Sequence, residues 1–442
     1  GRVRPGTCYK MITKKRFNML SEHGEPEIRR CALDQTLLSL LFLKLDAGDG
    51  KFLRTLIDPP SQTAINSATQ SLAMLGAVAL TDGGGVNSKS QLTALGVHLA
   101  GIPAPPNVAK LIVMGSILGC RDASLCIAAG MSVGRSPFMK VMENRFRRGE
   151  PSAEDTINEN ILEERRKIAK TVGHSDHALL FSVYKKWNEI GNADKRRFCG
   201  KLGLSEQGMR EMKQLRDQLD GSLRSAGFHD SKNSNRNGEK WRVVRSCVVS
   251  ALSPAGLVRV ERSSAKYDET MGGAVEKDGE ARELKFFVPK GVKDASDNQE
   301  QQAEAQAAKS AFKQRSFNGV EIERVFVHPS SINFGVGRYH CPWVVFFSMV
   351  TTAKPYLRDL SECSGYGLLL LGGELEVSAS EGKINVGGFA RFSATPRIAS
   401  LLRALREKLD ELLSIKAANV DFAIEDEAVM KAVVKLLVND GA

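Results

Sequence analysis

What this sequence lacks narrows its function before any motif is read. It has no run of about 20 apolar residues, so no segment reads as a membrane-spanning helix. Its longest apolar patches, such as Leu37 to Leu43, have the length of core helices. The eight cysteines, at 8, 31, 120, 126, 199, 247, 341 and 363, form no C-x-x-C pair and no zinc-type grouping. They read as reduced, mostly buried thiols of an intracellular protein rather than as a disulfide framework. His174 and His177 stand three apart with no third ligand nearby, so no metal is expected. A phosphate-cradling loop is missing too: Gly50-Lys51 is followed by Phe52 and lacks the upstream glycine. The opening GRVRPGTCYK has neither an initiator Met nor an apolar signal region, so the chain reads as an excised fragment.

What is present is ordinary globular composition with a basic bias. The 442 residues allow about three domains, and the apolar fraction supports a core through most of the chain. The formal net charge is +11. From Ala394 onward seven basic residues face eight acidic ones, so the excess lies upstream. A basic body with a neutral tail points to a polyanionic partner, RNA or DNA first, although a solvated basic face produces the same charge balance.

The stretch from Leu92 to Cys120 organises the chain. Glycine and proline punctuation splits it into a helix from Leu92 to Ala100, which closes one small domain, and a second helix from about Pro106. The second is apolar all round (Leu111, Ile112, Met114, Ile117, Leu118), as expected of a buried helix at the centre of a helical domain. Before it, Leu33 to Leu45 reads as a core helix. Asp58-Pro59-Pro60-Ser61 starts another, with Ala64, Ile65, Ala68, Leu72 and Leu75 at helical spacing and Gly76 as its stop. Gly83-Gly84-Gly85 reads as a hairpin tip. After it, Pro106 to Ser132 gives two packed helices. A charge-rich segment, Phe138 to Ala169, leads to Ser175-Asp176-His177 and a helix whose Leu180, Tyr184 and Trp187 share one face. A long amphipathic helix, Met209 to Leu223, points Met212, Leu215, Leu219 and Leu223 inward.

Gly227 to Lys240 reads as a polar linker, and beyond it the pattern changes. A helix over Trp241 to Leu252 precedes short alternating strands at 257–261, 284–288, 325–328, 343–352, 375–378 and 384–392. Such a set suggests a small closed barrel. Two inserts, 263–280 and 294–313, read as mobile excursions from its loops, the second partly helical. Ile398, Leu401, Leu402, Leu405, Leu409, Leu412 and Leu413 form a helical stripe, and a last helix spans about Glu425 to Val438.

Several stretches together resemble the DEAH-box RNA helicases downstream of their motor lobes. These are Gly1-Arg2-Val3-Arg4-Pro5-Gly6, Pro26-Glu27-Ile28-Arg29-Arg30, the order L-T-x-L-G-x-x-L-A-x-x-P from Leu92, and Asp176-His177 followed by Tyr184 and Trp187. His328-Pro329-Ser330-Ser331 and Thr352-Ala353-Lys354-Pro355-Tyr356-Leu357-Arg358-Asp359 complete the set in the family's order. The tail and the Leu371-Gly372-Gly373 turn look most like the DHX29/DHX57/DHX36-like branch. Asp426-Glu427-Ala428-Val429 only imitates the DEAH box, because Val replaces His and no strand precedes it.

The resemblance implies a multidomain α+β fold of winged helix, ratchet helical bundle, OB-fold β-barrel and C-terminal helices. The implied boundaries are 1–18 for the end of the second RecA-like domain, with Thr7 to Arg16 as its last strand, 19–100 for the winged helix, 101–228 for the ratchet bundle, 229–393 for the OB-fold and 394–442 for the helices. It implies the C-terminal accessory region of an ATP-dependent 3′-to-5′ RNA helicase, forming part of the single-stranded RNA channel. ATP and Mg2+ serve the intact enzyme and none is expected in the fragment. By resemblance Arg2 contacts ATP phosphates, and Lys354, Arg358, Ser330, Ser331, His328 and His177 contact RNA. Implied partners are single-stranded or structured RNA and ribosomal or RNP proteins, with no membrane, in the cytoplasm or the nucleus. Two other classes fit parts of the pattern: a non-catalytic RNA-binding or scaffold module from an inactive relative, and an archaeal-type DNA-repair helicase, which lacks the His-Pro-Ser-Ser barrel.

Overall fold

The computed structural model describes every residue except 1–2, 82–88, 140, 142–152, 263–266, 271–272, 277–283, 291–314, 318 and 441–442. Arg2, the glycine triplet at 83–85, Arg145, Arg147, Arg148 and the insert at 294–313 lie outside the described residues.

The first unit is small. Helices α1 (Asp34–Phe42) and α2 (Gln62–Met74), the strands β1 (Val78–Leu80) and β2 (Ser90–Leu92), and α3 (Ala94–Gly101) enclose Leu37, Leu38, Leu53, Ile65, Leu72 and Leu99. Two of the helix starts have a local cause: the Ser61 hydroxyl accepts from Ala64 N–H, and the Thr93 hydroxyl accepts from Gly96 N–H. Val78 pairs with Leu92 and Leu80 with Ser90, an antiparallel hairpin of the wing type. Thr7 to Arg16 forms no strand; a helical turn at Lys14–Asn18 follows exposed chain. A strand needs a neighbour to satisfy its backbone, and no described residue pairs with this segment.

The helical unit follows. Helices α4 (Pro106–Ile117) and α5 (Arg121–Ser132) pack so closely that a Cβ on Gly115 would lie 2.0 Å from the Ser124 hydroxyl oxygen. The turn between them passes through Gly119 at φ 70°. The GSILGC segment therefore needs both glycines, one for approach and one for a left-handed turn. Around this pair stand α6 (Ala153–Val172), α7 (Asp176–Glu189), α8 (Asn192–Leu202) and α9 (Glu206–Ser225). Trp187, Met209, Met212, Leu219 and Leu223 are buried among them. Arg121 is buried as well, donating through Nε and Nη2 to Asp220 at 3.0 and 2.7 Å and through Nη1 to the Phe228 carbonyl at 2.7 Å.

The polar segment after α9 is folded rather than a linker. The Asn237 amide donates to the Leu118 carbonyl at 2.7 Å, and Asn235 accepts from Asp122 N–H at 2.7 Å. Its polar side chains supply caps that the start of α5 and the end of α4 need, so composition misread it. Helix α10 (Trp241–Leu252) follows and is buried on most sides, packing on α4, α7, the barrel and the C-terminal helices.

The barrel is built from β3 (Leu257–Arg262), β6 (Leu284–Pro289), β8 (Val320–Val327), β9 (Trp343–Thr351) and β10 (Pro355–Glu362), with a short hairpin of β4 (Tyr267–Thr270) and β5 (Gly273–Glu276) between the first two. A three-residue strand, β7 (Arg315–Phe317), pairs with β8 at the margin. The order β10-β9-β3-β6-β8 closes because β8 and β10 pair in parallel, Tyr356 opposite Phe326 and Leu357 opposite Val327. This is a five-stranded closed barrel with its own core of Val258, Val288, Val325, Val344, Met349, Leu357 and Leu360. Leu357 and Leu360 both face inward, which strict alternation forbids. The left-handed backbone of Asp359, φ 55°, takes up the phase.

Two expectations change here. The strands expected at 375–378 and 384–392 do not join the barrel. After α11 (Gly365–Leu371) and the Gly372-Gly373 turn, β11 (Leu375–Ser378), β12 (Lys383–Val386) and β13 (Ala390–Ser393) form a separate antiparallel sheet. Helix α12 (Pro396–Ala418) buries Leu402, Leu409 and Leu412 but leaves Ile398 and Leu401 exposed. The last helix is α13 (Ala428–Asn439), so the DEAH-like tetrapeptide sits across its start.

The Arg121–Asp220 pair sets a test of this core. Asp220→Ala leaves a guanidinium buried without its carboxylate, a loss of about 3–5 kcal/mol. The midpoint of thermal unfolding should fall clearly; an unchanged midpoint would contradict the assignment.

Candidate nucleic-acid interface

Alternation along β8 sorts its side chains. Val325 and Val327 enter the barrel, so Arg324, Phe326 and His328 face out. Along β10, Leu357 enters and Tyr356 and Arg358 face out. Because β8 and β10 are paired in register, the outward residues meet. The Phe326 and Tyr356 rings lie 6.2 Å apart between centroids, and the His328 ring stands edge-on to Tyr356 at 6.0 Å. Lys354 Nζ sits 4.7 Å from the Phe326 centroid and the Arg324 guanidinium 5.0 Å from it. Tyr356 and Arg358 thus share one face, as two-residue spacing in a strand requires, and Lys354, just before β10, reaches it through Phe326.

The polar atoms on this face are differently placed. The Nε atoms of Arg324 and Arg358 are shielded from water and meet no hydrogen-bond partner among the described residues. A buried donor without a partner costs about 1–3 kcal/mol. His328 Nδ1 accepts from Ser330 N–H at 3.2 Å, which places the proton of the neutral ring on Nε2. Ser330 remains exposed at the edge, its hydroxyl 2.7 Å from His328 Nδ1.

Two residues expected on this face are turned elsewhere. Ser331 is 8% exposed, and its hydroxyl donates to Asp176 at 2.6 Å. His177 is 2% exposed, with Nδ1 2.7 Å from the Ser361 hydroxyl. Burial pushes its pKa down to about 4, which keeps the ring neutral. Both residues belong to the seam between the helical unit and the barrel, where neither meets solvent as a direct RNA contact must.

That seam joins two of the sequence motifs. Asp176 opens α7 and accepts from Ser331 Oγ, from Ile332 N–H at 2.9 Å and from Leu360 N–H at 2.8 Å. Ser175, whose hydroxyl caps α7, also lies 2.6 Å from the Ser361 hydroxyl, and Glu362 N–H donates to the His174 carbonyl at 2.8 Å. Burial raises the Asp176 carboxyl above its ordinary range, with these donors pulling it back. Asp359 beside it is pushed up to about 7 by burial first and by the Asp176 charge second, with Arg358 opposing.

Phe326, Arg324 and Asp176 went unassigned from sequence. The alternation in Arg324 to His328 carried a signal for the first two, since Arg324, Phe326 and His328 alternate with Val325 and Val327. No group of three or more His, Cys, Asp or Glu side chains that could hold a metal ion occurs among the described residues. No described helix is long and apolar enough to cross a membrane.

Comparison with known proteins agrees with this architecture. Residues 105–180 match the ratchet-like helicase-associated domain, 301–375 the oligonucleotide/oligosaccharide-binding fold and 382–439 the C-terminal domain in RNA helicases. The chain is 28% identical over 441 residues to the DExH-box ATP-dependent RNA helicase DExH1 of Arabidopsis thaliana, covering 99% of this chain and 37% of that protein. It is 26% identical over 453 residues to the human ATP-dependent DNA/RNA helicase DHX36, covering 99% and 38%. It is 27% identical over 443 residues to the ATP-dependent RNA helicase dhx29 of Xenopus laevis, covering 99% and 28%. The chain therefore spans well under half the length of these relatives.

Asp359 supplies a pH test of the seam. An ordinary aspartate titrates near 3.9, whereas this one holds its proton to about 7. The folded state binds the extra proton, so this group's contribution falls as pH rises from about 4 to 7 and stays low above. Asp359→Asn keeps a residue tolerant of positive φ and removes the ionisation cost. It should raise the unfolding midpoint at pH 8 more than at pH 5, by about 1–2 kcal/mol after discounting for partial solvent screening. An equal shift at both pH values would contradict the assignment.

Proposed function

We propose, from a chain that carries the C-terminal domains of the DExH/DEAH-box RNA helicases, that the outer face of its barrel holds single-stranded RNA and forms part of the RNA channel of an ATP-dependent 3′-to-5′ helicase. One observation carries this reading: Phe326 and Tyr356 are paired across two strands, with Lys354, Arg324 and Arg358 around them. Aromatic faces stack bases of any identity, and the cations hold the phosphates between them. The Arg324 and Lys354 cations beside the Phe326 ring suit phosphate oxygens that arrive with the strand. Such a face grips without reading sequence, as a translocating enzyme requires. Ser331 and His177 act indirectly, by fixing the barrel against the helical unit. The motor, ATP and Mg2+ belong to the intact enzyme, and Arg2 is its one candidate phosphate contact in this chain. RNA-bound protein complexes and a cytoplasmic or nuclear location are consistent with the reading.

Titration of a labelled oligouridylate at several salt concentrations tests the proposal. Tyr356→Ala should cost about 1–3 kcal/mol if it stacks one base. Lys354→Ala should flatten the log–log salt slope by about 0.7 for one lost phosphate contact. Arg358→Ala should lower affinity while leaving the unfolding midpoint intact. Unchanged affinity in all three variants, or loss of stability alone in Arg358→Ala, would overturn it.

A second test concerns ATP. The isolated chain lacks the G-x-x-x-x-G-K-[ST] loop, so it should show no RNA-stimulated ATP turnover. Measurable turnover by the purified chain would contradict the division of labour.

A further inference from the structure

The outer face of the barrel continues onto a third strand. In the β9–β10 pairing Met349 stands opposite Leu357, and both enter the core. The pairs on either side, Val350 with Tyr356 and Ser348 with Arg358, therefore face out. The parallel pairing of β8 with β10 lines up the same rows on the other side. Phe326 stands opposite Tyr356, and His328 N–H donates to the Leu357 carbonyl at 2.9 Å. The surface is thus banded. Phe326, Tyr356 and Val350 form an aromatic and apolar row, and His328, Arg358 and Ser348 form a polar row about 7 Å along the strands from it.

The polar row has a guanidinium at its centre and a hydroxyl at each end. On one side the Ser330 hydroxyl lies 2.7 Å from His328 Nδ1. On the other, Ser348 is directly opposite Arg358, which puts their Cβ atoms about 5 Å apart. A serine at that position leaves the guanidinium its charge, where a carboxylate would pair with it. The Ser348 side chain is half-buried, and its hydroxyl makes no hydrogen bond to a described residue. A hydroxyl can donate and accept at once, whereas the cations around the aromatic row can only donate.

A single-stranded nucleotide brings three groups to such a surface. Its base stacks on the aromatic row, its phosphate goes to a cation, and its sugar joins the two. The ribose 2′-hydroxyl is both donor and acceptor, and it is the group that tells RNA from DNA. We infer that Ser348 gives this face a preference for ribose over deoxyribose, by meeting the 2′-hydroxyl of the nucleotide whose phosphate Arg358 holds. This role requires the strand to lie on the barrel face, as proposed above. Stacking and phosphate contacts are indifferent to the sugar, so without the Ser348 hydroxyl the face holds either nucleic acid alike.

Anisotropy titrations with labelled decauridylate and decadeoxyuridylate test this, because the two oligomers differ only at the 2′ position. The unaltered chain should bind the ribose oligomer about three- to tenfold more tightly, the range of one neutral hydrogen bond. Ser348→Ala should weaken the ribose oligomer alone, bring the two affinities to within about twofold and keep the unfolding midpoint. Ser348→Thr retains a hydroxyl on a residue suited to a strand and should retain the preference. Equal binding of the two oligomers by the unaltered chain overturns the role of Ser348. So does a preference that survives Ser348→Ala, or a loss in that variant shared by both oligomers. Tyr356→Ala tells the two kinds of failure apart. Equal binding that falls in Tyr356→Ala leaves a face that holds nucleic acid without reading its sugar. Binding that Tyr356→Ala leaves unchanged removes both the sugar preference and the RNA face.

Discussion

The arrangement depends on one carboxylate and the donors that converge on it. Asp176 begins a helix of the ratchet-like unit and takes three hydrogen bonds from the barrel, one from a hydroxyl and two from backbone N–H groups. Ser175 and His177 on either side engage Ser361. Removing a carboxylate from water is expensive, and only this number of donors makes its position tolerable. The cost gives specificity: one relative placement of helix and barrel satisfies all the partners at once. The Phe326–Tyr356 face, made by the β8–β10 pairing, stands on the barrel that this placement holds.

The seam also explains why short hydroxyl residues stand beside a histidine in both motifs. In Ser175-Asp176-His177 all three residues turn into the seam, whereas in His328-Pro329-Ser330-Ser331 one serine turns inward and the other stays near the surface. Ser331 reaches Asp176 while Ser330 stays outside with His328. A motif quoted as a unit can therefore divide its residues between the seam and the surface. Charge follows the same division. Arg121 and Arg165 are buried and serve structure, with Arg165 donating to the Leu202 and Gly203 carbonyls at 2.9 Å each. Lys354 and Lys170 are exposed and available.

Much of the architecture was legible from the chain because period and punctuation were strong. The apolar run from Leu111 to Leu118, the Pro106 start and the glycines at 115 and 119 define a central helix pair that the structure contains. The hairpin before α3 and four of the five barrel strands were equally visible. What was not legible required knowing a partner. The polar stretch before α10 reads as a linker until its amides are seen capping other helices. The strands after Gly373 alternate like barrel strands, and only pairing tells that they form their own sheet. His177 and Ser331 look like surface chemistry in sequence, since burial between two domains leaves no periodic trace.

The central claim is that RNA lies against the Phe326–Tyr356 face. Ultraviolet crosslinking of uridine-rich single-stranded RNA to the chain, followed by mass spectrometry of the adducts, tests it most directly. The account predicts adducts on peptides containing Phe326 or Tyr356, diminished by competing unlabelled RNA and by added salt. Crosslinks confined to the winged helix or the C-terminal helices, with none on these two strands, would contradict it.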